Sequence, residues 1–197
     1  MKRTVLILFL FLLVPSYSHG AEPLDVLKDS VDRVLVILGD PKYSDPSTRD
    51  EQKNMLWDII RQIFDFNEMA RSTIARHWRE FTDTQKKEFT NVFGQFLGSN
   101  YLDKISTGFE GEKVAYLGYN MTTDNKAIVK TKILMKDADA PVDYSMININ
   151  GTWKVYDVKV EGISLIKNYR SQFDSILAKN SPDSLIEMIR KKVAEQE

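Results

Sequence analysis

The stretch VYDVKVEGISLIKNYRSQF, residues 155–173, decides the fold because a strand, a turn and the start of a helix follow one another within it. Apolar and polar residues alternate up to Val160, which is typical of a strand. Gly162 then interrupts the alternation, as expected at a turn. From Ser164 the apolar residues recur every three or four positions, which predicts a helix.

The strand in this stretch carries large apolar side chains on both of its faces. By simple alternation, Trp153 and Val155 point to one face, and the opposite face holds Tyr156, Val158 and Val160. An antiparallel sheet in a small domain commonly leaves one polar face in water. We therefore expect both faces of this strand to be covered.

Three further strands precede it. The segments 112–121, 126–136 and 142–150 show the same period of two. Asn150-Gly151 separates the third of them from the strand 152–160, and this pair is a strong signal for a type I′ hairpin turn. Because all the connections are short, we predict a four-stranded antiparallel sheet.

Helical segments flank the sheet on both sides along the chain. The first runs from about Leu24 to Leu38 and ends at Gly39. Capping signals mark the starts of the others: Asp45-Pro46, Asp65 with Glu68, Thr82 with Gln85, Ser164, and Ser181-Pro182. This order predicts an α+β domain in which N-terminal and C-terminal helices wrap the sheet.

Residues 1–20 have the pattern of a secretory signal peptide. Two basic residues precede an apolar run of about ten residues, roughly half the length of a membrane-spanning helix. Small residues at Ser18 and Gly20 then fit a cleavage site. We expect cleavage after Gly20, which leaves a single domain over residues 21–197. An exported chain without cysteine favours a bacterial periplasm.

Composition excludes several classes of protein. The full chain has 27 basic and 28 acidic residues, and two of the basic ones fall in the signal peptide, so the exported part is slightly acidic. An acidic balance argues against nucleic acid as a partner and against unassisted adhesion to anionic membranes. Without cysteine, no disulfide scaffold is available, and stability has to come from the apolar core.

No arrangement of residues for catalysis is apparent. After the signal peptide the only histidine is His77, which excludes a two-histidine metal site or mechanism. No phosphate-binding loop, dinucleotide fingerprint or nucleophile elbow occurs. A lone histidine beside Trp78 is more typical of a packed core residue than of a general base. We therefore expect a protein that is not an enzyme and has no metal or cofactor.

Two blocks of the sequence resemble the MlaC (toluene-tolerance) family of periplasmic phospholipid-binding proteins. The first is FDFNEMARSTIARHWREFTDTQKKEFTNVFGQFLGSNYLDKI, residues 64–105, and the second is WKVYDVKVEGISLIKNYRSQFDSIL, residues 153–177. They occur in the family's order with a strand-rich insert between them. One departure is Ala75-Arg76, where the family usually has Leu-Gly.

The resemblance implies a function and a shape. It implies a monomeric periplasmic carrier of phospholipid that helps to maintain outer-membrane lipid asymmetry. Its partners would be the MCE-domain subunit of an inner-membrane ABC transporter and an outer-membrane lipoprotein complex. The implied shape is a cone of sheet wrapped by helices, with the acyl chains in an internal apolar cavity.

Thirteen residues are predicted to line that cavity, from their helix positions and strand faces. They are Ile59, Ile63, Phe93, Phe96, Leu97, Tyr101, Val129, Ile133, Tyr144, Met146, Trp153, Ile163 and Tyr169. Ordinary core packing explains each of them equally well. For Arg170 we expect an ion pair with Asp157 or Asp174 rather than a headgroup contact.

Two other functions stay open at this point. One is a small cone-shaped α+β enzyme with an acid–base site in an apolar pocket, built from carboxylates, tyrosine or His77. The other is an adaptor with a solid core that bridges membrane complexes and binds no lipid.

Overall fold

The computed structural model describes residues 21–195, in which six α-helices surround one five-stranded antiparallel sheet. The helices are α1 Pro23–Leu38, α2 Arg49–Ile63, α3 Phe66–Ile74, α4 Asp83–Gly108, α5 Leu165–Leu177 and α6 Pro182–Ala194. The strands are β1 Lys113–Thr123, β2 Lys126–Leu134, β3 Ala140–Ile149, β4 Thr152–Val160 and β5 Ile163–Ser164. The α+β class is confirmed. The predicted signal peptide, residues 1–20, lies outside the described residues.

Across residues 21–195, no helix combines the length and the apolar character that crossing a membrane requires.

Four of the predicted capping residues mark helix starts, whereas Asp45 caps the short 3-10 turn Pro46–Thr48 that precedes α2. The Asp65 carboxylate accepts a hydrogen bond from the Glu68 amide at 2.9 Å, and Thr82 and Gln85 form a reciprocal capping box. Ser164 caps α5 and Ser181 caps α6. Such bonds satisfy amide groups that the first helical turn leaves without partners. These four helices therefore begin where a short polar side chain reaches the helix backbone, whereas α1 and α2 have no side-chain cap.

The sheet is a meander in the order β1-β2-β3-β4-β5. The prediction of four strands is wrong by one, because β5 pairs with the end of β4 at Lys159 and Val160. Glu161 and Gly162, at φ 50° and 82°, form the tight turn between them. A two-residue strand carries no period, so alternation could not reveal it.

A β-bulge in β4 changes which side chains share a face. Met146 pairs with Val155, and Tyr144, two residues earlier, pairs with Val158, three residues later. The extra residue places Val158 on the same face as Val155. The sequence-based assignment of these two valines to opposite faces is therefore wrong. The face that carries them packs on α1 and is called the inner face below.

Buried apolar side chains form two separate clusters. The sheet cluster lies between the inner face, α1 and the end of α2, and consists of Leu27, Ile63, Ala127, Val129, Met146, Trp153 and Val155. The helical cluster lies between α3, α4, α5 and α6, and its largest members are Phe81, Phe89, Phe93, Phe96, Tyr169 and Phe173. Phe64, at the junction of α2 and α3, packs against both clusters. Both faces of β4 are covered as expected, because Val155 packs in the sheet cluster and Tyr156 packs against the helical one.

Two glycines let α4 approach its neighbours closely. A Cβ at Gly94 would lie 3.4 Å from the Phe66 ring, and a Cβ at Gly98 would lie 3.1 Å from the Trp57 ring. The aromatic rings of α2 and α3 therefore rest directly on the α4 backbone. As a result α2 is held between α4 on one side and α1 on the other.

Candidate lipid-binding site

Five of the predicted lining residues lie together on the sheet side. Ile63, Val129, Met146 and Trp153 are buried members of the sheet cluster, and the partly buried Tyr144 packs against it. Strand pairing brings the sheet residues together: Val129 on β2 lies opposite Tyr144 on β3, both on the inner face. They form an apolar wall opposite α1.

Four others lie in the helical cluster instead. They are Phe93, Phe96, Leu97 and Tyr169. The Phe93 ring is fully buried, with centroids 5.7 Å from Phe89, 5.5 Å from Tyr169 and 5.6 Å from Phe173. Edge-to-face and stacked rings at these distances are the packing of a protein core. The structure thus separates these four from the sheet-side residues with which they were expected to share one cavity.

The remaining four are scattered. Tyr101 is 36% exposed on α4. Ile163 is 70% exposed on β5, so it lies on the surface rather than against a closed cavity wall. Ile133 is partly buried near the end of β2. Ile59 is buried on α2 but belongs to neither cluster.

Sequence reasoning missed two neighbours of Ile59 in this respect. Leu56 on α2 and Leu102 on α4 are also buried and also lie outside both clusters. Helical spacing contains no information on which neighbour an apolar face meets. These three residues belong to α2 and α4, two helices that pack against each other.

The inner surface of α1 is only partly buried. Leu27 is 2% exposed, whereas four apolar residues later in the same helix keep some exposure: Val31, Val34, Leu35 and Leu38. The inner face of the sheet shows the same feature at its own positions: Val114, Ile133, Tyr144 and Val158 are partly exposed. The apolar surfaces of α1 and of the inner face of the sheet are therefore not completely buried against each other.

A polar group interrupts the inner face beside α1. The Tyr116 hydroxyl donates to Asp32 at 2.7 Å, Asp32 also binds Lys28, and the Lys28 ammonium lies 5.0 Å from the Tyr116 ring centre. Hydrogen bonds from Lys28 and then Tyr116 lower the pKa of Asp32. Burial, followed by the bond to Asp32, raises the pKa of Tyr116. Burial alone raises the pKa of Tyr144 to about 12.

His77 belongs to a structural network away from this surface. It is 8% exposed, and its ring nitrogens lie 3.0 Å from the carboxylates of Glu80 and Asp174. Arg76 also binds Asp174, at 2.7 Å. These contacts connect α5 with the turn that follows α3. In the described part of the chain, no cluster of three or more His, Cys, Asp or Glu residues is arranged to hold a metal ion.

The prediction for Arg170 is wrong. Both expected partners are engaged elsewhere, because Asp157 binds Ser164 and the Ile166 amide, while Asp174 binds His77 and Arg76. Arg170 instead donates to the Ser72 carbonyl at 2.8 Å.

Two clefts open on the surface. One, of about 510 Å³, is bordered by Phe64–Phe66 and the β3–β4 hairpin, and the other, of about 410 Å³, lies at the far end of β2. None of the thirteen predicted residues lines either of them. The internal cavity implied by the resemblance is therefore neither of these clefts.

The described residues thus form an antiparallel sheet whose apolar inner face is only partly covered by the helices beside it. The chain belongs to the MlaC protein family, whose model matches residues 28–191. This match confirms the resemblance seen in the two sequence blocks.

Individual relatives agree with this assignment. The chain is 27% identical over 173 residues to the toluene tolerance protein Ttg2D of Pseudomonas putida, which covers 82% of this chain and 75% of that protein. It is 24% identical over 118 residues to the intermembrane phospholipid transport system binding protein MlaC of Haemophilus influenzae, covering 57% of this chain and 55% of that one.

A solved structure shares the fold. It is that of a phospholipid-binding protein from Ralstonia solanacearum in complex with a phospholipid. The TM-score is 0.78 at 22% sequence identity, covering 89% of this chain and 99% of that chain.

Proposed function

We propose that this protein binds phospholipid and carries it through the periplasm, with the acyl chains held between α1, α2 and the inner face of the sheet. Membership of a family of lipid-binding transport proteins supports this, and it confirms the expectation of a protein that is not an enzyme. The observation that carries the proposed location is the incomplete closure of two facing apolar surfaces. Val31 on α1, and Tyr144 and Val158 on the sheet, pack against the sheet cluster and yet stay partly exposed.

We propose that the buried residues of α2 and α4 that belong to neither cluster supply the depth of the site. Leu56, Ile59 and Leu102 are 1%, 4% and 9% exposed without joining either cluster. A phospholipid entering beside α1 would meet the sheet cluster on one side and these residues on the other. We propose that the acyl chains separate the two clusters here, so that the cavity widens as lipid enters.

The hydrophobic effect explains why such a site needs no polar specificity. Burying one CH₂ group contributes about 0.8 kcal/mol, so two acyl chains with about thirty such groups gain roughly 24 kcal/mol on leaving water. This exceeds the strongest known affinities, about 18–21 kcal/mol. A lipid carrier does not need such an affinity relative to water, because it exchanges lipid with a bilayer. It only has to bury the acyl chains about as favourably as the bilayer does, and apolar walls are sufficient for that.

The proposed partners are the MCE-domain subunit of an inner-membrane ABC transporter and an outer-membrane lipoprotein complex. The name of the Haemophilus influenzae relative, which places it in an intermembrane phospholipid transport system, supports the proposal. Its test is transfer of labelled phospholipid between this protein and vesicles that contain the purified transporter. Transfer should require the transporter and should stop when its MCE domain is removed.

Lipid extraction tests the binding itself. Protein purified from the periplasm under native conditions should yield about one phospholipid per chain by mass spectrometry of the organic extract and by native mass spectrometry. A stable, monodisperse protein that carries no lipid and takes none up from vesicles would contradict the proposal and favour an adaptor.

A further inference from the structure

The charges of the molecule are distributed unevenly between the sheet and the rest of the chain. The five strands contain six lysines and two aspartates, whereas the remainder of residues 21–197 contains 19 basic and 26 acidic residues. The sheet is therefore positively charged within a chain that is acidic as a whole. A concentration of one sign of charge creates a local potential that attracts surfaces of the opposite sign.

Strand pairing places all six lysines on the face of the sheet opposite the inner face, called the outer face below. Lys130 follows the inner-face residue Val129, and successive side chains of a strand point to opposite faces. Lys130 lies opposite Asp143, which lies opposite Lys159, so these three side chains form one row across β2, β3 and β4. The six lysines of the outer face are Lys113, Lys126, Lys130, Lys132, Lys154 and Lys159.

The protein itself neutralises little of this positive charge. Of the six lysines, only Lys132 forms an ion pair within the described part of the chain, with Asp139 at 3.4 Å. Lys130 and Lys159 have no such partner there. One of the two strand aspartates, Asp157, is buried and accepts hydrogen bonds from the start of α5. The outer face therefore presents ammonium groups that can form ion pairs with another molecule.

Much of the outer face is open to solvent. The helix α1 packs on β1 and β2 from the inner side, and α5 packs on β4. On the outer side of β2 and β3, Ile128 and Ile147 are partly exposed and Ile149 is 41% exposed. Apolar side chains among charged ones are suited to protein docking, because the charges steer the encounter and set the register while apolar contacts are buried.

We propose that the outer face of β1 to β3 is a docking surface for a protein partner whose own surface is acidic. The inference rests on the proposed function, which places the lipid on the inner face. A bilayer lying on the outer face would be separated from that site by the sheet, so lipid could not enter from it. A protein partner can hold the outer face and leave α1 free for lipid exchange. The geometry therefore favours an acidic protein over an anionic membrane.

The test measures association with purified partners. Wild type purified from the periplasm and its Lys130→Gln/Lys159→Gln variant are passed over the immobilised MCE-domain subunit and, separately, over the immobilised outer-membrane lipoprotein complex. With the acidic partner, the variant should associate about three- to tenfold more slowly than wild type at low salt, with little change in dissociation rate. Association of wild type should slow several-fold between about 50 and about 500 mM NaCl, because salt screens the attraction.

The helix α6 offers a matched control. Lys191→Gln/Lys192→Gln removes the same number of positive charges from exposed positions in the last turn of α6, which packs on α4 and α5. Since the net charge changes equally, a difference between the two variants reports where the charge lies. Both should keep the lipid content and the urea midpoint of wild type, because no buried side chain is altered.

The outcomes separate this inference from the proposed function. If the outer-face variant and wild type associate equally with both partners, or if wild type binds neither, the docking surface is overturned while lipid binding stands. Salt-independent association of wild type would also overturn it, and this measurement needs no variant. If the variant loses only adhesion to dioleoyl phosphatidylglycerol vesicles, the outer face is a membrane surface and the inference is overturned.

Lipid uptake is measured on the same preparations. If wild type takes up no phospholipid from vesicles, the proposed function fails. Charge-dependent binding of that lipid-free protein to a partner would then support the same docking surface in an adaptor.

Discussion

At the scale of single residues, Asp157 shows how one buried carboxylate joins two layers. It is 8% exposed on β4, accepts the Ser164 hydroxyl at 2.6 Å and the Ile166 amide at 3.1 Å. Both donors belong to the start of α5, where the helix dipole also favours negative charge. Asp157 therefore holds the start of α5 against the sheet. Because α5 contributes to the helical cluster, the same contact also joins that cluster to the sheet.

Replacing this carboxylate should destabilise the protein. Asp157→Ala leaves the Ile166 amide and the Ser164 hydroxyl without their acceptor, which should lower the free energy of unfolding by about 2–3 kcal/mol. Urea denaturation measures the change. The control is Asp124→Ala in the exposed β1–β2 turn, which should stay within about 0.5 kcal/mol of wild type. Equal effects of the two substitutions would contradict the role of Asp157.

Tyr144 makes a second residue-level prediction, on pH. Its pKa is raised by burial to about 12, whereas an unfolded tyrosine titrates near pH 10. Below pH 10 both states keep the proton. Above it the unfolded chain loses the proton first and binds fewer protons than the folded one, so stability falls as pH rises. From pH 9 to pH 11 this single group should contribute a loss of about 1.4 kcal/mol.

Tyr144→Phe isolates that contribution. The variant has no proton to lose at this position, so its unfolding free energy should fall by about 1.4 kcal/mol less than that of wild type between pH 9 and pH 11. All other tyrosines and lysines titrate in both proteins, and their effects cancel in the difference. Parallel losses in urea titrations of the two delipidated proteins would show that this phenol is not buried.

At the scale of elements, the sequence predicts well where helices begin and end, but poorly which elements pack against each other. Thr82 and Ser164 could be identified as caps because a cap bonds to amides two or three residues away. Which side of α4 meets which partner depends on residues far along the chain. Phe93 and Tyr101 were therefore both predicted to line the cavity, although Phe93 packs in the helical cluster and Tyr101 lies outside both clusters. The bulge at Tyr156 put Val158 on the opposite face from the one predicted, for the same reason. The register of a strand is set by the neighbouring strand with which it pairs, so the sequence of one strand alone does not reveal a bulge.

Two substitutions on neighbouring helices should distinguish lipid-facing positions from core ones. Ile59→Trp adds volume at a buried α2 position outside both clusters. If the acyl chains widen the protein there, as proposed, it should reduce the phospholipid that copurifies several-fold, with little loss of stability. Leu97→Trp adds the same kind of ring inside the helical cluster, where overpacking should cost about 1–3 kcal/mol and leave the lipid content per folded chain unchanged. Lipid-to-protein ratios and urea denaturation measure both effects. The reverse result would place the acyl chains against α4, as helical spacing alone predicted.

At the scale of the whole molecule, the two clusters are unequal. The helical cluster contains seventeen buried residues and the sheet cluster seven. The smaller one borders the half-buried surfaces of α1 and the sheet, so the side of the protein that would take the cargo is also the less completely packed side. A ligand that binds only the folded state raises its stability by mass action. We expect bound lipid to stabilise mainly the sheet side, because its acyl chains would fill the sheet cluster and leave the helical cluster unchanged.

Hydrogen exchange tests this division of the molecule. Removing the lipid should speed amide exchange in α1 and in β1 to β3, whose apolar surfaces then face each other without filling. By contrast α4, α5 and α6 should keep their protection, because the aromatic rings of α4 and α5 pack on one another and α6 adds buried aliphatic side chains to the same cluster. Peptide-level mass spectrometry of loaded and delipidated protein, at equal concentration and pH, gives the comparison. Reloading with phospholipid should restore the slow rates in α1. A uniform change across all helices would mean that lipid stabilises the fold as one unit, and a change confined to α4 and α5 would move the binding site into the helical cluster.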